Sequence, residues 1–427
     1  MFYRSNEHFF RLIKSFGYRI DEVLNFIQVM VSFMNSFRRK CLYLFIAWCI
    51  YVINTQGQNY DESKVSPYIL PNILISAAGK KIKNKSSWEK FRKSEIELLF
   101  KEYVYGISPD RFDKIEFKKS EDKAAMDGKA LLRKVIVKVF KEDRFVTIHI
   151  TLFLPYSRKK PMPVFLLINH RDSNTTDQSR KIRSAFWPAE TLIDSGYAIA
   201  AFQVRDVSPD DKNKYQNGVL QMYPALLHAD NGMKAIGSWA WGASRVLDYF
   251  ITDKDIDAGK MIVIGHSRGG KAALWAGAQD QRFAIVISNC SGNSGAAIAR
   301  RKFGETIAKI NTGFPYWFSN NYKKFNERED HLPVDQHMLI ALMAPRPVYI
   351  GTAEKDLWAD PYGSYLSLKY ASPVYDLYKI STKAILTFPS QPLIHSHLGF
   401  HLREGGHDLL LSDWINYIRF ANYHFKK

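Results

Sequence analysis

A serine between two glycines is the residue of this sequence whose surroundings most clearly indicate chemistry. Ser267 lies in a Gly-x-Ser-x-Gly pattern over residues 265–269, directly after an apolar run at 261–264 and directly before a small-residue segment at 272–278. A strand, a tight turn and a helix in this order lift a serine hydroxyl above a sheet edge and aim free backbone N–H groups at the same point. The pattern predicts a nucleophile for acyl transfer, provided that the chain also supplies a base and an acid.

The base that this serine needs is expected at His407. This histidine follows the last expected strand, around residues 396–400, and lies in a glycine-bearing loop at 405–407 before an expected helix at 409–421. In the chain order Ser, acid, His, a histidine that follows the last strand is the residue that takes the serine proton.

Asp356 is the expected acid, because it lies a few residues beyond the expected strand at 347–350. A loop at that point still overhangs the carboxyl edge of a parallel sheet, where His407 is expected. Asp360 remains an alternative acid. Its position before Pro361 also suits an N-cap for a helix over 362–369.

Strands and helices that alternate along the chain must position these residues. Further strands are expected at 113–119, 130–141, 144–154, 163–168, 197–202 and 283–287, and further helices at 88–106, 189–194 and 235–250. Continuous apolar runs such as 163–168 suit strands that are buried on both faces, whereas the polar stretches 169–181 and 206–229 suit surface loops. We predict one α/β domain over 58–427, with a mostly parallel sheet flanked by helices and with long loop insertions.

The front of the chain carries a candidate targeting segment. Three basic residues at 38–40 precede an apolar run at 41–53, and the small residues Thr55 and Gly57 follow. This order is typical of a signal peptide over 34–57, with an uncleaved membrane anchor as the alternative. Residues 1–33 are then expected to be a gene-model extension, with Met34 as the start, or an extra N-terminal segment. We expect export to the periplasm or out of the cell, with no stable membrane partner after cleavage.

Charge and cysteine usage exclude several classes of protein. The net charge of the 427 residues is +18, but the lysines are scattered in short runs, so we expect a solvated basic surface and no nucleic-acid partner. Of the three cysteines, only Cys290 lies beyond the expected signal peptide, so no internal disulfide is expected.

His395, His397 and His401 have ligand-like spacing, but no cysteine or carboxylate pair joins them. We therefore expect no metal and no other cofactor.

Several ordered motifs resemble the bacterial glucuronoyl esterases of carbohydrate esterase family 15, in the α/β-hydrolase superfamily. The motifs lie at 265–274, 291–297, 304–306, 314–318 and 358–361, and a weaker likeness covers 59–65 with Leu70 and Pro71. The resemblance runs from about Asn59 to the C-terminus. It implies an α/β-hydrolase three-layer sandwich and a metal-free esterase. Members of that family cleave the ester between the (4-O-methyl-)glucuronate of xylan and an alcohol of lignin.

The resemblance also implies roles for individual residues of this chain. It makes Ser267 the nucleophile and His407 the general base. It makes Arg268 the oxyanion stabiliser, through its backbone N–H and its guanidinium, which is physically sound because negative charge is favourable beside a cation at a helix N-terminus. By the same resemblance Lys271 and Glu305 would bind sugar hydroxyls, and Trp358 would pack along the uronate.

One position departs from the pattern of the family. Many relatives carry a glutamate as the acid just before a Ser-Gly pair, whereas this chain has Cys290 before Ser291. A thiol does not orient an imidazole as a carboxylate does, so the acid must come from the loop that contains Asp356. We expect Cys290 to be a small buried residue at a strand end.

We predict a monomeric, exported serine esterase that needs no cofactor and acts on glucuronoxylan–lignin esters of the plant cell wall, through an acyl-enzyme on Ser267. Two alternatives remain open. The chain could be an acetyl xylan esterase of the same fold, which a pocket with Lys271 and Glu305 argues against. It could also be a non-catalytic carbohydrate-binding protein, an alternative that the altered acid position at Cys290 keeps open. The substitution Ser267→Ala separates these alternatives, since a pseudoenzyme has no turnover to lose.

Overall fold

A ten-stranded sheet forms the centre of the described part of the chain in this computed structural model. Its order is β1, β3, β4, β6, β5, β7, β8, β9, β10, and the short β2 pairs with β3. The strands from β6 to β10 pair in parallel, whereas the pairs at the β1 end of the sheet are antiparallel. The strand bounds are β1 Lys114–Lys119, β2 Lys123–Ala125, β3 Ala130–Lys141, β4 Arg144–Pro155, β5 Met162–Asn169, β6 Ala198–Gln203, β7 Ile256–His266, β8 Phe283–Asn289, β9 Val348–Ala353 and β10 Leu398–Arg403.

Helices cover both faces of this sheet because its parallel strands are apolar on both sides. Alternate residues of β5 enter different apolar clusters, with Leu166 on one face and Leu167 on the other. Helices α2, α6, α7, α9 and α10 pack in the first cluster, and α3 and α11 pack in the second. The helix bounds are α1 Lys85–Ser87, α2 Lys93–Tyr103, α3 Ala189–Asp194, α4 Val219–Met222, α5 Pro224–His228, α6 Ala235–Thr252, α7 Arg268–Gln279, α8 Ile307–Gly313, α9 Gln336–Ala341, α10 Pro361–Asp376 and α11 Leu411–Phe425.

The three-layer α/β architecture predicted from the sequence is confirmed. Every strand expected from an apolar run is present within a few residues of its expected bounds. The sequence analysis missed β2, and it missed α4 and α5 inside the expected polar loop at 206–229. It also missed α8 and α9. These elements are three to seven residues long, so they are too short to display a full hydrophobic period.

The described residues are 58–157 and 161–426, together with Asn25, Gln28 and Val29. Residues Asn59–Lys427 cluster as one unit. The expected signal peptide at 34–57 lies outside the described residues, and so does the expected extension at 1–33 apart from the three residues just named. Among the helices that the structure describes, none is long and apolar enough to cross a bilayer.

The carboxyl edge of the parallel strands is where the candidate residues meet. Strand β7 lies between β5 and β8, with Gly265 in register with Ile168 on one side and Ser288 on the other. It ends one residue before Ser267, so the serine stands over the middle of the parallel section. The loops that follow β5, β8, β9 and β10 leave the sheet at the same edge.

Candidate active site

The turn between β7 and α7 holds Ser267 in a strained conformation. Its φ is +54°, a left-handed value that is uncommon for a residue other than glycine. The Ser267 N–H donates to the Asn289 carbonyl (2.8 Å), which ties the turn to the neighbouring strand. A Cβ at Gly265 would lie 2.0 Å from the Gly269 carbonyl oxygen, so only glycine permits this close approach. The first helical residue after the turn is Arg268, earlier than the sequence suggested.

A hydrogen-bonded chain joins Ser267, His407 and Asp356. The Asp356 carboxylate accepts from His407 Nδ1 (2.6 Å), and the Ser267 hydroxyl donates to His407 Nε2 (2.9 Å). The carboxylate fixes this tautomer, because an acceptor at Nδ1 leaves the lone pair of the imidazole at Nε2. Asp356 is buried, and the His407 side chain is 39% exposed. The general base His407 is therefore accessible to solvent, whereas the acid Asp356 is shielded from it.

Asp360, the alternative acid, has a different set of partners. Its carboxylate accepts from the Gly363 N–H (2.8 Å) at the start of α10 and from Arg301 Nε (2.8 Å). Burial raises the pKa of Asp360, and the adjacent Arg301 guanidinium opposes that shift. The structure thus brings Asp356 to His407 and gives Asp360 the capping position that the sequence also allowed.

Arg268 is held in place by residues that the sequence analysis did not assign to the site. Its Nη1 donates to Asp210 (2.6 Å), and its guanidinium lies over the rings of Trp317 (4.6 Å) and Phe314 (5.1 Å). Asp210 also accepts from Trp317 Nε1 (2.9 Å) and from the Tyr316 hydroxyl (2.8 Å). Arg268 lines the same cavity as Ser267 and its side chain is 28% exposed, so its guanidinium is accessible from that cavity.

Lys271, Glu305 and Trp358 line the same cavity as Ser267, with a volume of about 340 Å³. Lys271 and Glu305 are buried and form an ion pair (2.6 Å), and the Lys271 ammonium also donates to the Asn293 carbonyl. Burial lowers the pKa of Lys271, although the Glu305 carboxylate acts in the opposite direction. Trp358 remains 38% exposed at the cavity mouth. The ion pair offers polar groups that can orient a ligand, and the indole offers an apolar surface, a combination that is common in ligand sites.

Cys290 lies directly after β8 and faces the acid and the base. It is buried with a φ of +46°, and its Sγ is 3.9 Å from the Asp408 carbonyl oxygen. Burial raises the pKa of the Cys290 thiol well above its ordinary value, and the nearby Asp356 carboxylate raises it further. The thiol is therefore neutral, and it fills the space next to the Asp356–His407 pair without adding a charge.

Cys290, Asp356 and His407 are also the one group of three metal-ligating side chains that the described residues bring within 4.8 Å of one another. His407 Nδ1 and Asp356 are already bonded to each other, and a thiol with a raised pKa is a poor ligand because metals bind the thiolate. The donor set fits an oriented imidazole better than an ion. The absence of a metal stays a prediction.

A second histidine, His266, lies beside the first, and its surroundings favour the neutral form. Its ring lies 4.6 Å from that of His407. His266 Nδ1 donates to the Asn289 side-chain oxygen (2.6 Å), and its Nε2 accepts from Arg171 (3.1 Å). Burial lowers the pKa of His266 well below its ordinary value, and His407 lowers it further. A neutral neighbour does not compete with His407 for a proton.

Comparisons with known proteins identify the relatives of this chain. A family model described as glucuronyl esterase of fungi matches residues 137–378. A carbohydrate esterase of an unknown prokaryotic organism is 38% identical over 400 residues, which cover 86% of this chain and 92% of that relative. The 4-O-methyl-glucuronoyl methylesterase of Neurospora crassa is 27% identical over 363 residues, covering 82% of this chain and 78% of that protein. A solved glucuronoyl esterase from Solibacter usitatus is 36% identical, with a TM-score of 0.76 over 85% of this chain and 100% of that one.

Proposed function

The chain belongs to the glucuronoyl esterases of carbohydrate esterase family 15, and on that premise we propose that it attacks its ester with Ser267 and forms an acyl-enzyme there. As a member of this family it is a carboxylic ester hydrolase of methylglucuronate esters. The finer substrate that we propose is the ester between the (4-O-methyl-)glucuronate of glucuronoxylan and an alcohol of lignin.

The observation that carries the proposal is the position of His407 between a serine hydroxyl (2.9 Å) and a buried carboxylate (2.6 Å). In the first step His407 Nε2 takes the Ser267 proton while Oγ bonds to the ester carbon. Asp356 stabilises the imidazolium that forms, and it keeps the ring in the tautomer that accepts at Nε2. Because Asp356 is buried, this stabilisation is not diluted by solvent.

The carbonyl oxygen becomes an oxyanion in this step and needs donors. The Arg268 backbone N–H at the start of α7 and the Arg268 guanidinium are the two donors that we assign to it. Collapse of the intermediate breaks the bond to the alcohol oxygen, which receives its proton from His407. Water then repeats the sequence on the acyl-enzyme and releases the uronate.

Recognition of the sugar is assigned to the far wall of the cavity. Lys271 and Glu305 offer a donor and an acceptor for ring hydroxyls, and their ion pair holds both side chains in place before substrate arrives. The exposed Trp358 indole offers an apolar face for the ring. A polymeric substrate of this size lies outside the cell, which agrees with the predicted signal peptide at 34–57.

The test is acid release from benzyl glucuronate by the protein and by Ser267→Ala. We expect release by the unmodified protein and its loss in the variant. Rapid quenching followed by mass spectrometry should place a glucuronoyl group on the peptide that contains Ser267. The peptide with Ser291 is the matched control, because this serine lines the same cavity but accepts a hydrogen bond from the Ala296 N–H. Release that persists in Ser267→Ala would overturn the proposal, and so would a label on Ser291.

A further inference from the structure

A second cavity, of about 270 Å³, lies on the other side of the turn that carries Trp358. Five of its lining side chains are large, apolar and more than one third exposed. They are Tyr60, Leu357, Tyr362, Phe388 and Leu402, and the ring of Phe303 lies beneath them, edge-on to Tyr60 (6.4 Å). A concave group of exposed apolar and aromatic side chains indicates a binding surface, because soluble proteins rarely leave such a group exposed to water.

The wall between this aromatic cavity and the Ser267 cavity consists of two short segments. In the first, Phe303 faces the aromatic cavity and Glu305 faces the Ser267 cavity. In the second, Leu357 faces the aromatic cavity and Trp358 the other. The two cavities are therefore neighbours, and residues of the same two segments line both of them.

A hydrogen bond and a glycine hold the two segments of this wall together. The Glu305 N–H donates to the Trp358 carbonyl (2.8 Å), and the Gly304 N–H ties the first segment to the N-terminal arm at the Asn59 carbonyl (2.8 Å). Gly304 has a φ of +59°, and a Cβ there would lie 2.3 Å from the Leu357 carbonyl oxygen. The wall is thin because only glycine allows this approach.

The carboxylates around the aromatic cavity disfavour an anionic ligand. Glu62, Glu354 and Asp360 line it, so an anion is repelled, whereas sugar hydroxyls can donate to these carboxylates. Arg301 pairs with Glu62 (2.7 Å) and with Asp360 (2.8 Å), which fixes both side chains. The Arg301 guanidinium also lies 5.2 Å from the centre of the Tyr362 ring and keeps that ring in place.

We propose that the aromatic cavity is a subsite for the neutral pentose units of the polysaccharide that carries the esterified uronate. The inference rests on the proposed function, in which the ester carbon lies at Ser267 and the uronate ring extends toward Glu305 and Trp358. The glycosidic end of the uronate then faces the shared wall, with the aromatic cavity behind it. The alcohol must lie at His407 Nε2, which donates its proton, so the alcohol occupies the other end of the substrate.

The test compares two benzyl esters, benzyl glucuronate and the benzyl ester of a glucuronate linked to xylotriose. Tyr60→Ala and Tyr362→Ala should raise the KM for the xylotriose-linked ester about 10-fold relative to the KM for benzyl glucuronate, since each removes one stacking ring. Tyr156→Ala is the matched control, because that tyrosine is 62% exposed and lines neither cavity. Equal changes for both esters would overturn the proposal. An effect that follows the alcohol, when benzyl is exchanged for methyl, would assign the aromatic cavity to the alcohol instead.

A direct binding measurement separates this inference from the proposed function. Xylotetraose, which has no uronate and no ester, is titrated calorimetrically into the unmodified protein and into the two tyrosine variants. We expect binding that weakens about 10-fold in each variant. If benzyl glucuronate is cleaved but xylotetraose binding is absent or unchanged by the substitutions, the subsite is wrong and the esterase stands. If xylotetraose binds as expected but no ester is cleaved, the subsite stands and the esterase is wrong.

Discussion

Strands β8 and β9 are neighbours in the sheet, and the segments that follow them both deliver a side chain to His407. After β8 comes Cys290, which is 2% exposed, and after β9 comes Asp356, which is 4% exposed. Their Sγ and carboxylate oxygen lie within 4.8 Å of one another and of His407. Only Asp356 carries a charge to the imidazole. The difference teaches that the carboxylate at Nδ1 comes from the β9 end in this chain, while the β8 end contributes a neutral side chain.

The largest effect should come from removing the charge at the β9 position. Asp356→Asn keeps the shape of the side chain but can donate to Nδ1 and so favours the wrong tautomer of His407. We expect kcat to fall about 10³–10⁴-fold on benzyl glucuronate. Asp408→Asn is the matched control, since that carboxylate is next to His407 in the chain but pairs with Arg171 (2.8 Å). A loss in Asp408→Asn as large as in Asp356→Asn would mean that the acid has been assigned to the wrong loop.

The comparison becomes sharper if a carboxylate is moved from one strand end to the other. In the Asp356→Asn background, Cys290→Glu places a longer acidic side chain where the thiol already faces His407. We expect it to recover about 10²-fold of the lost kcat. Cys290→Gln in the same background has nearly the same size without the charge and should recover nothing. Equal activities of the two double variants would show that the strand end matters as well as the charge.

A smaller effect is expected on the other side of Ser267, where Asp210 orients Arg268 as Asp356 orients His407. Asp210→Asn keeps an acceptor for Trp317 and Tyr316 but weakens the charge-assisted bond to Arg268 (2.6 Å). We expect kcat to fall about 10-fold with little change in KM, because the guanidinium acts on the oxyanion. The control is Asp211→Asn, one residue away, whose side chain accepts from the Asn213 N–H. A change confined to KM would make Asp210 a residue for substrate binding instead.

The smallest effect concerns the stability of the neutral thiol. Because burial raises the pKa of Cys290, the unfolded chain loses the thiol proton near the ordinary value of 9 while the folded chain keeps it. The free energy of unfolding then falls as pH rises, by at most about 1.4 kcal/mol per pH unit. Cys290→Ala removes this contribution, and the tyrosines contribute equally to both proteins. The free energies of unfolding of the two proteins are measured in urea at about pH 8 and about pH 10. Between these pH values the unmodified protein should lose about 1 kcal/mol more stability than Cys290→Ala. Parallel pH profiles would show that the thiol ionises in the folded protein.

Local signals explain what the sequence could predict. The strand, turn and helix around Ser267 are contiguous in the chain, and apolar runs mark the strands of the parallel sheet. Asp356 and His407 were predictable because each follows a late strand at the same edge. The family resemblance singled out Lys271, Glu305 and Trp358, and the structure places all three in the lining of the Ser267 cavity.

Contacts between distant segments explain what the sequence could not predict. Asp210 lies 58 residues before Arg268, inside a polar loop with two other carboxylates, and nothing in its local sequence distinguishes it. The aromatic cavity combines residues from the N-terminal arm, the loop at 303–305, the turn before α10 and the segment around Phe388. No periodicity within one element brings such residues together, so only the folded chain reveals them.

The turn between β9 and α10 has a consequence for how such enzymes diverge. Asp356 faces His407, Leu357 faces the aromatic cavity and Trp358 faces the Ser267 cavity. Transfer of this turn from this chain into a homologue would carry the acid together with part of the lining of both cavities. In this chain, reactivity and polymer preference are therefore expected to be inherited together.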